Sequence, residues 1–312
     1  MTNFTKAQIR DFAKRHGITF IDLRRNYAFH LIFGTQGNED LLLMLVNAIL
    51  PDQGITSVKL NPTENAGLRE DSRSSVFDIS ATTSTGTFIN IEMQFSDQDD
   101  FGDRMVFYLC FPIINDLRTG KLESFKLATK YSIGITNFVL KGIDKNDDVI
   151  NYYGIRNEVE GRSPLSKNVH YVTVELPKFT KILQELKTPA ERMLYTIAHI
   201  HEMKEMPAEF VGTGLEKLFE ICRFAHMEEF VQMDYVRRIM AEIDERSQQR
   251  TAINNAEEQG LKKGLAKGLA KGLAKGLAKG KAEVAKNLLE MGVPTETVSK
   301  ATGLSAKEIA AL

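Results

Sequence analysis

The chain reads as an α/β protein that gives way to a helical region after residue 189, and three observations carry that reading. Two runs rich in β-branched and aromatic residues, Ser75 to Ala81 and Thr87 to Phe95, flank the turn-forming stretch Thr82 to Gly86 and predict a hairpin. Helical patterns stand on either side of it, at 38–50 and 103–117, and strand-like runs follow at 131–138, 151–155 and 169–176. From Ala190 to Asn255 the pattern turns helical.

Taken in order, Asn38 is the N-cap candidate of the first of these helices, Glu39 and Asp40 occupy its first turn, and Pro51 stops it. Ile55 to Leu60 is expected to be the first strand, with a polar loop through Arg73 after it. In the hairpin, a three-residue loop Ser84-Thr85-Gly86 with a left-handed Gly86 pairs Thr83 with Thr87 and, counting outward, Asp78 with Glu92. Their Cβ atoms then lie roughly 5 Å apart on one sheet face, with Gln94 one step further along. Phe77, Ile79, Ile89, Ile91, Met93 and Phe95 point the other way, toward a core. A slip of one residue would put the acids on opposite faces.

Two like charges directly opposite should repel. A divalent cation is the natural compensation, because hard cations such as Mg²⁺ are held by one or two carboxylates plus water and phosphate. The alternative is a solvated outer face. In the helix at 103–117, Arg104 and Tyr108 are four residues apart and share a face. The planar guanidinium of Arg104 suits either a phosphate or one of the acids.

Other candidates are weaker. Glu64 and Glu70 lie in the polar loop and could extend the acidic cluster, although loop acids are usually solvated. His199-Ile-His201-Glu202 invites a zinc reading, but the metalloprotease spacing needs a second histidine where this chain has Glu205.

The ordered set Tyr27 to Gly34, Leu41 to Leu50, the Asp78 strand, Ile91-Glu-Met-Gln94, Arg104 with Tyr108, Tyr171 to Phe179, the glycine-spaced repeat and Ala301 to Ile309 resembles a known family. It is the Rpn family of recombination-promoting nucleases and transposase-like proteins, within the PD-(D/E)XK nuclease superfamily. The resemblance runs through nearly the whole chain. It implies a restriction-endonuclease-like core, a mixed central sheet flanked by helices, whose acids bind Mg²⁺ or Mn²⁺ for phosphodiester hydrolysis. On that resemblance Asp78 and Glu92 are catalytic metal ligands, the Met93 carbonyl is a further ligand, and Gln94 stands where the superfamily has its lysine. Arg104 and Tyr108 are the substrate-binding candidates. The chain departs from the pattern at Phe77, where the superfamily has proline, and at Asn26 and His30, where the family has Asp and Lys. A neutral amide at 94 can only orient water or phosphate, so a metal has to supply more of the charge stabilisation.

At 312 residues, one large domain plus appendages is expected: a nuclease-like domain at 1–189, a helical extension at 190–259, a repeat linker at 260–281 and a small helical element at 282–312. Cys110 and Cys222 give no disulfide framework and are expected to be reduced and buried, which suits a cytoplasmic protein. No signal-like start and no membrane-spanning run is visible, so no membrane partner is expected. The net charge of −1 gives no global support for nucleic-acid binding. Leu261 to Lys281, however, holds seven lysines and no acid, which leaves −8 on the remainder. DNA affinity must therefore come from local patches and from the metal site.

Within that basic stretch Lys-Gly-Leu-Ala is repeated four times from Lys263 to Ala278. Four residues advance a helix by about 400°, so the leucines drift slowly around it. The five glycines from Gly264 to Gly280 cost roughly 5 kcal/mol relative to alanine, which favours a flexible linker. Pairing with a second copy, as a homodimer, is the alternative. Beyond it Ala282 to Glu290 is helical, Met291 to Pro294 breaks the helix, and Ser305 with Glu308 forms a capping box for the last one. That unit resembles a helix-turn-helix and is read either as a DNA contact or as a dimerisation element.

The leading function is a metal-dependent DNA endonuclease that promotes recombination or acts in mobile-element or defence biology. A nuclease fold that only binds DNA or protein is the alternative. A DDE-type transposase needs a third acid downstream, for which the chain has no strong candidate.

Overall fold

The computed structural model describes residues 4–62, 64–65, 75–76, 78–119, 127–141 and 146–312. The chain divides into two compact units, Met1–Arg237 and Arg238–Leu312.

The first unit opens with α1 (Lys6–Arg15), α2 (Asn26–Phe33) and α3 (Glu39–Ile49). Asn38 precedes α3 as expected, but its side chain does not cap the helix; it donates instead to the Ile32 carbonyl at 2.8 Å, tying α3 back to α2. Strands β1 (Val58–Leu60), β4 (Ile79–Thr83) and β5 (Phe88–Gln94) form an antiparallel meander. Between β1 and β4 lie β2 (Glu64–Asn65) and β3 (Ser75–Val76), which pair only with each other. The first strand is therefore shorter than the expected 55–60, and Glu70 and Phe77 fall outside the described residues.

After β5 the chain runs through α4 (Phe101–Thr119), β6 (Lys130–Thr136), β7 (Ile150–Gly154) and β8 (Val169–Glu175). Among the described residues six strands make one sheet in the order β1-β4-β5-β6-β8-β7. Pairs β5–β6 and β6–β8 are parallel and the others antiparallel, so the sheet is mixed. A parallel pair needs a crossover, and α4 is the crossover from β5 to β6.

Period-two alternation gives the sheet two different faces. Ile79, Ile89, Ile91, Met93, Ile133 and Ile135 are fully buried on one of them. The other carries Asn90, Glu92 and Gln94 from β5 beside Ser132, Gly134 and Thr136 from β6. This second face is also covered. A Cβ built on Gly134 would stand 2.6 Å from the Phe101 ring and 2.9 Å from the Met105 sulfur, so α4 lies directly on it. The unit continues through α5 (Pro189–His199) and α6 (Glu216–Cys222) into α7 (Glu229–Glu290). Cys222 is buried as expected, but Cys110 is exposed: on α4 it is Phe101, Met105 and Leu109 that are buried.

The Lys-Gly-Leu-Ala repeat lies inside α7 rather than in an irregular connection, and Leu261, Leu265, Leu269, Leu273 and Leu277 are all exposed. A helix already running from Glu229 has met its nucleation cost upstream, so each added residue faces only the smaller propagation term. In the second unit Ala285, Val298 and Ile309 form a small core, with α8 (Thr295–Thr302) and α9 (Ala306–Ile309) folded against the end of α7. The Ser305–Glu308 capping box is present: Glu308 N donates to Ser305 Oγ at 3.3 Å and Ser305 N to Glu308 Oε2 at 2.8 Å. Among the described residues no helix is long and apolar enough to cross a membrane.

Candidate active site

The hairpin has the register expected from its loop. Gly86 has φ +79°, Gly86 N donates to the Thr83 carbonyl, and Thr83 N donates to the Thr87 carbonyl at 2.9 Å. Ile79 then pairs with Ile91, which places Asp78 opposite Glu92 just beyond the end of β4. Because Asp78 has left the ladder, its backbone and side chain are free to bond across. Asp78 N donates to Glu92 Oε1 at 3.3 Å, and Asp78 Oδ2 accepts from Met93 N at 3.0 Å.

This pair is not on a solvated face. Glu92 is 4 % exposed and Gln94 6 %, because α4 covers them, while Asp78 is half-buried at the rim. Burial raises the proton affinity of Asp78 above the usual carboxylate range, and the Met93 N–H and Arg104 hold it back. Glu92 is raised further, by burial first and by repulsion from Asp78 second. A buried acid and a half-buried one, each disfavoured when charged, make a place that a cation would relieve.

Arg104 and Tyr108 meet the pair from α4. Tyr108 Oη accepts from Arg104 Nε at 3.3 Å and from Nη2 at 2.9 Å, so the tyrosine fixes the guanidinium. Arg104 Nη1 donates to Gln94 Oε1 at 3.4 Å and also to Gln98 Oε1. Gln94 Nε2 donates to the Ser96 carbonyl at 3.1 Å. Asp78, Glu92, Gln94, Arg104 and the Met93 backbone thus converge, with Tyr108 as the anchor of Arg104. Gln98 and Asn90 are additions that sequence reasoning missed. Asn90 was signalled by the alternation of Asn90, Glu92 and Gln94 with Ile89, Ile91 and Met93; Gln98 gave no local signal.

The remaining candidates lie outside this cluster. His201 Nε2 is 2.7 Å from Arg24 Nη2 and His199 Nδ1 is 3.3 Å from Glu202, so both imidazoles are engaged in polar pairs. No group of three or more His, Cys, Asp or Glu that could hold a metal occurs among the described residues. The two facing carboxylates, Asp78 and Glu92, are the acidic groups that meet at this place.

Comparison with known families agrees with this architecture. The family described as PD-(D/E)XK nuclease family transposase matches residues 23–252. The Rpn/YhgA-like nuclease family C-terminal HTH domain matches residues 278–312. Among curated proteins and among solved structures nothing matches. With one match spanning most of the chain and the other its end, the chain belongs to the Rpn-type PD-(D/E)XK nuclease family transposases.

Proposed function

We propose that the protein is a divalent-metal-dependent DNA endonuclease, with Asp78 and Glu92 as the metal-binding carboxylates. The observation that carries this reading is the acid pair, buried Glu92 opposite half-buried Asp78, faced by Arg104. The Met93 carbonyl supports it. In a strand the N–H and C=O of one residue point toward the same neighbour, and the Met93 N–H points at Asp78. Mg²⁺ or Mn²⁺ bound there would lower the pKa of a bound water and offset charge on the phosphate oxygens.

The chain's own residues do the rest. Gln94 is neutral, so it leaves room for a cation from elsewhere, and Arg104 brings one from α4 to its Oε1. Arg104 then takes the electrostatic part that a lysine would play on the strand: its fork contacts a phosphate oxygen, held in place by Tyr108 and Gln98. Gln94 orients water or phosphate by hydrogen bonds. The helix-turn-helix family at the C-terminus supports DNA as the partner.

The test is incubation of the purified protein with plasmid DNA and Mg²⁺ or Mn²⁺, with Asp78→Ala as the control. Metal-dependent nicking or linearisation by the parent alone is the expected result. A parent that binds the plasmid and never cuts it would leave the nuclease fold as a binding module.

A further inference from the structure

Asn90 is fully buried, and neither its Oδ1 nor its Nδ2 has a hydrogen-bond partner among the described residues. Leaving such a group unsatisfied costs about 1–3 kcal/mol, so a central strand with no use for an amide would carry an apolar residue here. Its position is not arbitrary. Asn90 precedes Glu92 by two residues on β5, so both side chains stand on the face covered by α4, about 7 Å apart along the strand. Across the sheet its neighbours in register are Ser80 and Ser132. Ser80 already accepts from Asn61 at 3.3 Å, and Ser132 Oγ has no partner of its own.

The Glu92 carboxylate is the strong acceptor within reach. Among the described residues Asp78 N donates to Oε1 at 3.3 Å, whereas an ionised carboxylate can accept about four hydrogen bonds. The Asn90 amide stands near enough to Glu92 to act on its carboxylate. We propose that Asn90 is a positioning residue for Glu92, its amide N–H holding the ionised carboxylate in the rotamer that faces a metal ion. This inference rests on the proposed metal-binding role of Asp78 and Glu92. Hydrogen-bond partners of metal ligands typically change metal affinity by 10- to 100-fold when removed.

The test compares Mn²⁺ affinity, followed by the electron paramagnetic resonance signal of free Mn²⁺, in the full-length parent and in Asn90→Leu, which keeps the number and branching of side-chain heavy atoms and removes the donor. Thermal unfolding without metal is measured on both. The expected result is a melting temperature close to that of the parent, the lost unsatisfied amide offsetting the added bulk, together with about tenfold weaker Mn²⁺ binding. Mn²⁺ binding by Asn90→Leu within twofold of the parent would overturn the role of Asn90 while leaving the acid pair intact. A parent with no Mn²⁺ affinity would overturn the acid pair itself and this inference with it. Should Asn90→Leu fail to fold, Asn90→Val, with a smaller side chain at home in a strand, is read by the same criteria.

Discussion

The main chain of Asp78 and the carboxylate of Glu92 are joined by a 3.3 Å hydrogen bond, although the two side chains repel when both are ionised. The fold holds this pair in place through backbone bonds and burial. The cost of the arrangement therefore depends on pH.

For Glu92 the sign follows from its proton affinity. Burial, then repulsion from Asp78, raises it to about 8, so the folded chain binds more protons than the unfolded one between the usual carboxylate range and that value. Metal-free stability should consequently fall as pH rises through this window and level off above it. His30 and His201, whose proton affinity is lowered by burial, act in the opposite sense near neutrality. The acid pair is therefore read by difference. Glu92→Gln should melt several degrees higher than the parent at pH 8, and the gap should close toward pH 4. Added Mn²⁺ should stabilise the parent increasingly with pH and leave the variant unmoved. Calorimetry across pH checks both, and a gap independent of pH would contradict the burial of a titrating pair.

Gln94→Ala is expected to slow cleavage by about 10²-fold while keeping Mn²⁺ binding, since it removes a donor and one hold on Arg104. Gln94→Lys should be no better, because its ammonium would meet the guanidinium already at that position. Single-turnover cleavage beside Mn²⁺ titration separates the two effects. Loss of metal binding in the alanine variant would make Gln94 a ligand instead.

Gly134→Ala should be more damaging than its size suggests. The new methyl would lie 2.6 Å from the buried Phe101 ring, and overpacking of this kind costs about 1–3 kcal/mol. The same displacement would move α4 and with it Arg104. A melting temperature lower by several degrees and cleavage reduced about tenfold are expected; a silent variant would show that α4 yields freely.

Deleting 261–312 removes the seven lysines of Leu261 to Lys281 and the terminal helices, and leaves every residue of the Asp78–Glu92 site. The remaining protein should fold and cut weakly, bind duplex DNA less tightly, and show a shallower dependence of log K on log salt. For every phosphate that the shortened protein no longer neutralises, the slope becomes shallower by about 0.9. Unchanged affinity and slope would assign the lysines no part in DNA binding.

The hairpin was legible because its register is a local property. One loop glycine at φ +79° and strict alternation along β5 fix which residues face Glu92. What covers that face was not legible. The packing of Phe101 and Met105 onto Gly134 joins α4 to a strand some thirty residues away, and no periodicity reports it. The same gap explains Cys110, whose exposure depends on which side of α4 meets the sheet. It also explains Asn38, whose amide finds a carbonyl from the previous helix rather than its own N-terminus. Arg104 and Tyr108 could be placed on one helix face by spacing alone, but the contact from Arg104 to Gln94 is tertiary.

The uninterrupted course of α7 through the Lys-Gly-Leu-Ala units gives their number a mechanical meaning. A flexible tether absorbs four extra residues as slack. A helix cannot: one unit more or less changes its length by about 6 Å and turns everything beyond it by about 40°. Two chains differing by a single unit would have nearly the same composition and charge density, yet would present the helices after Glu290 at a different distance and azimuth from the helix residues that precede the repeat.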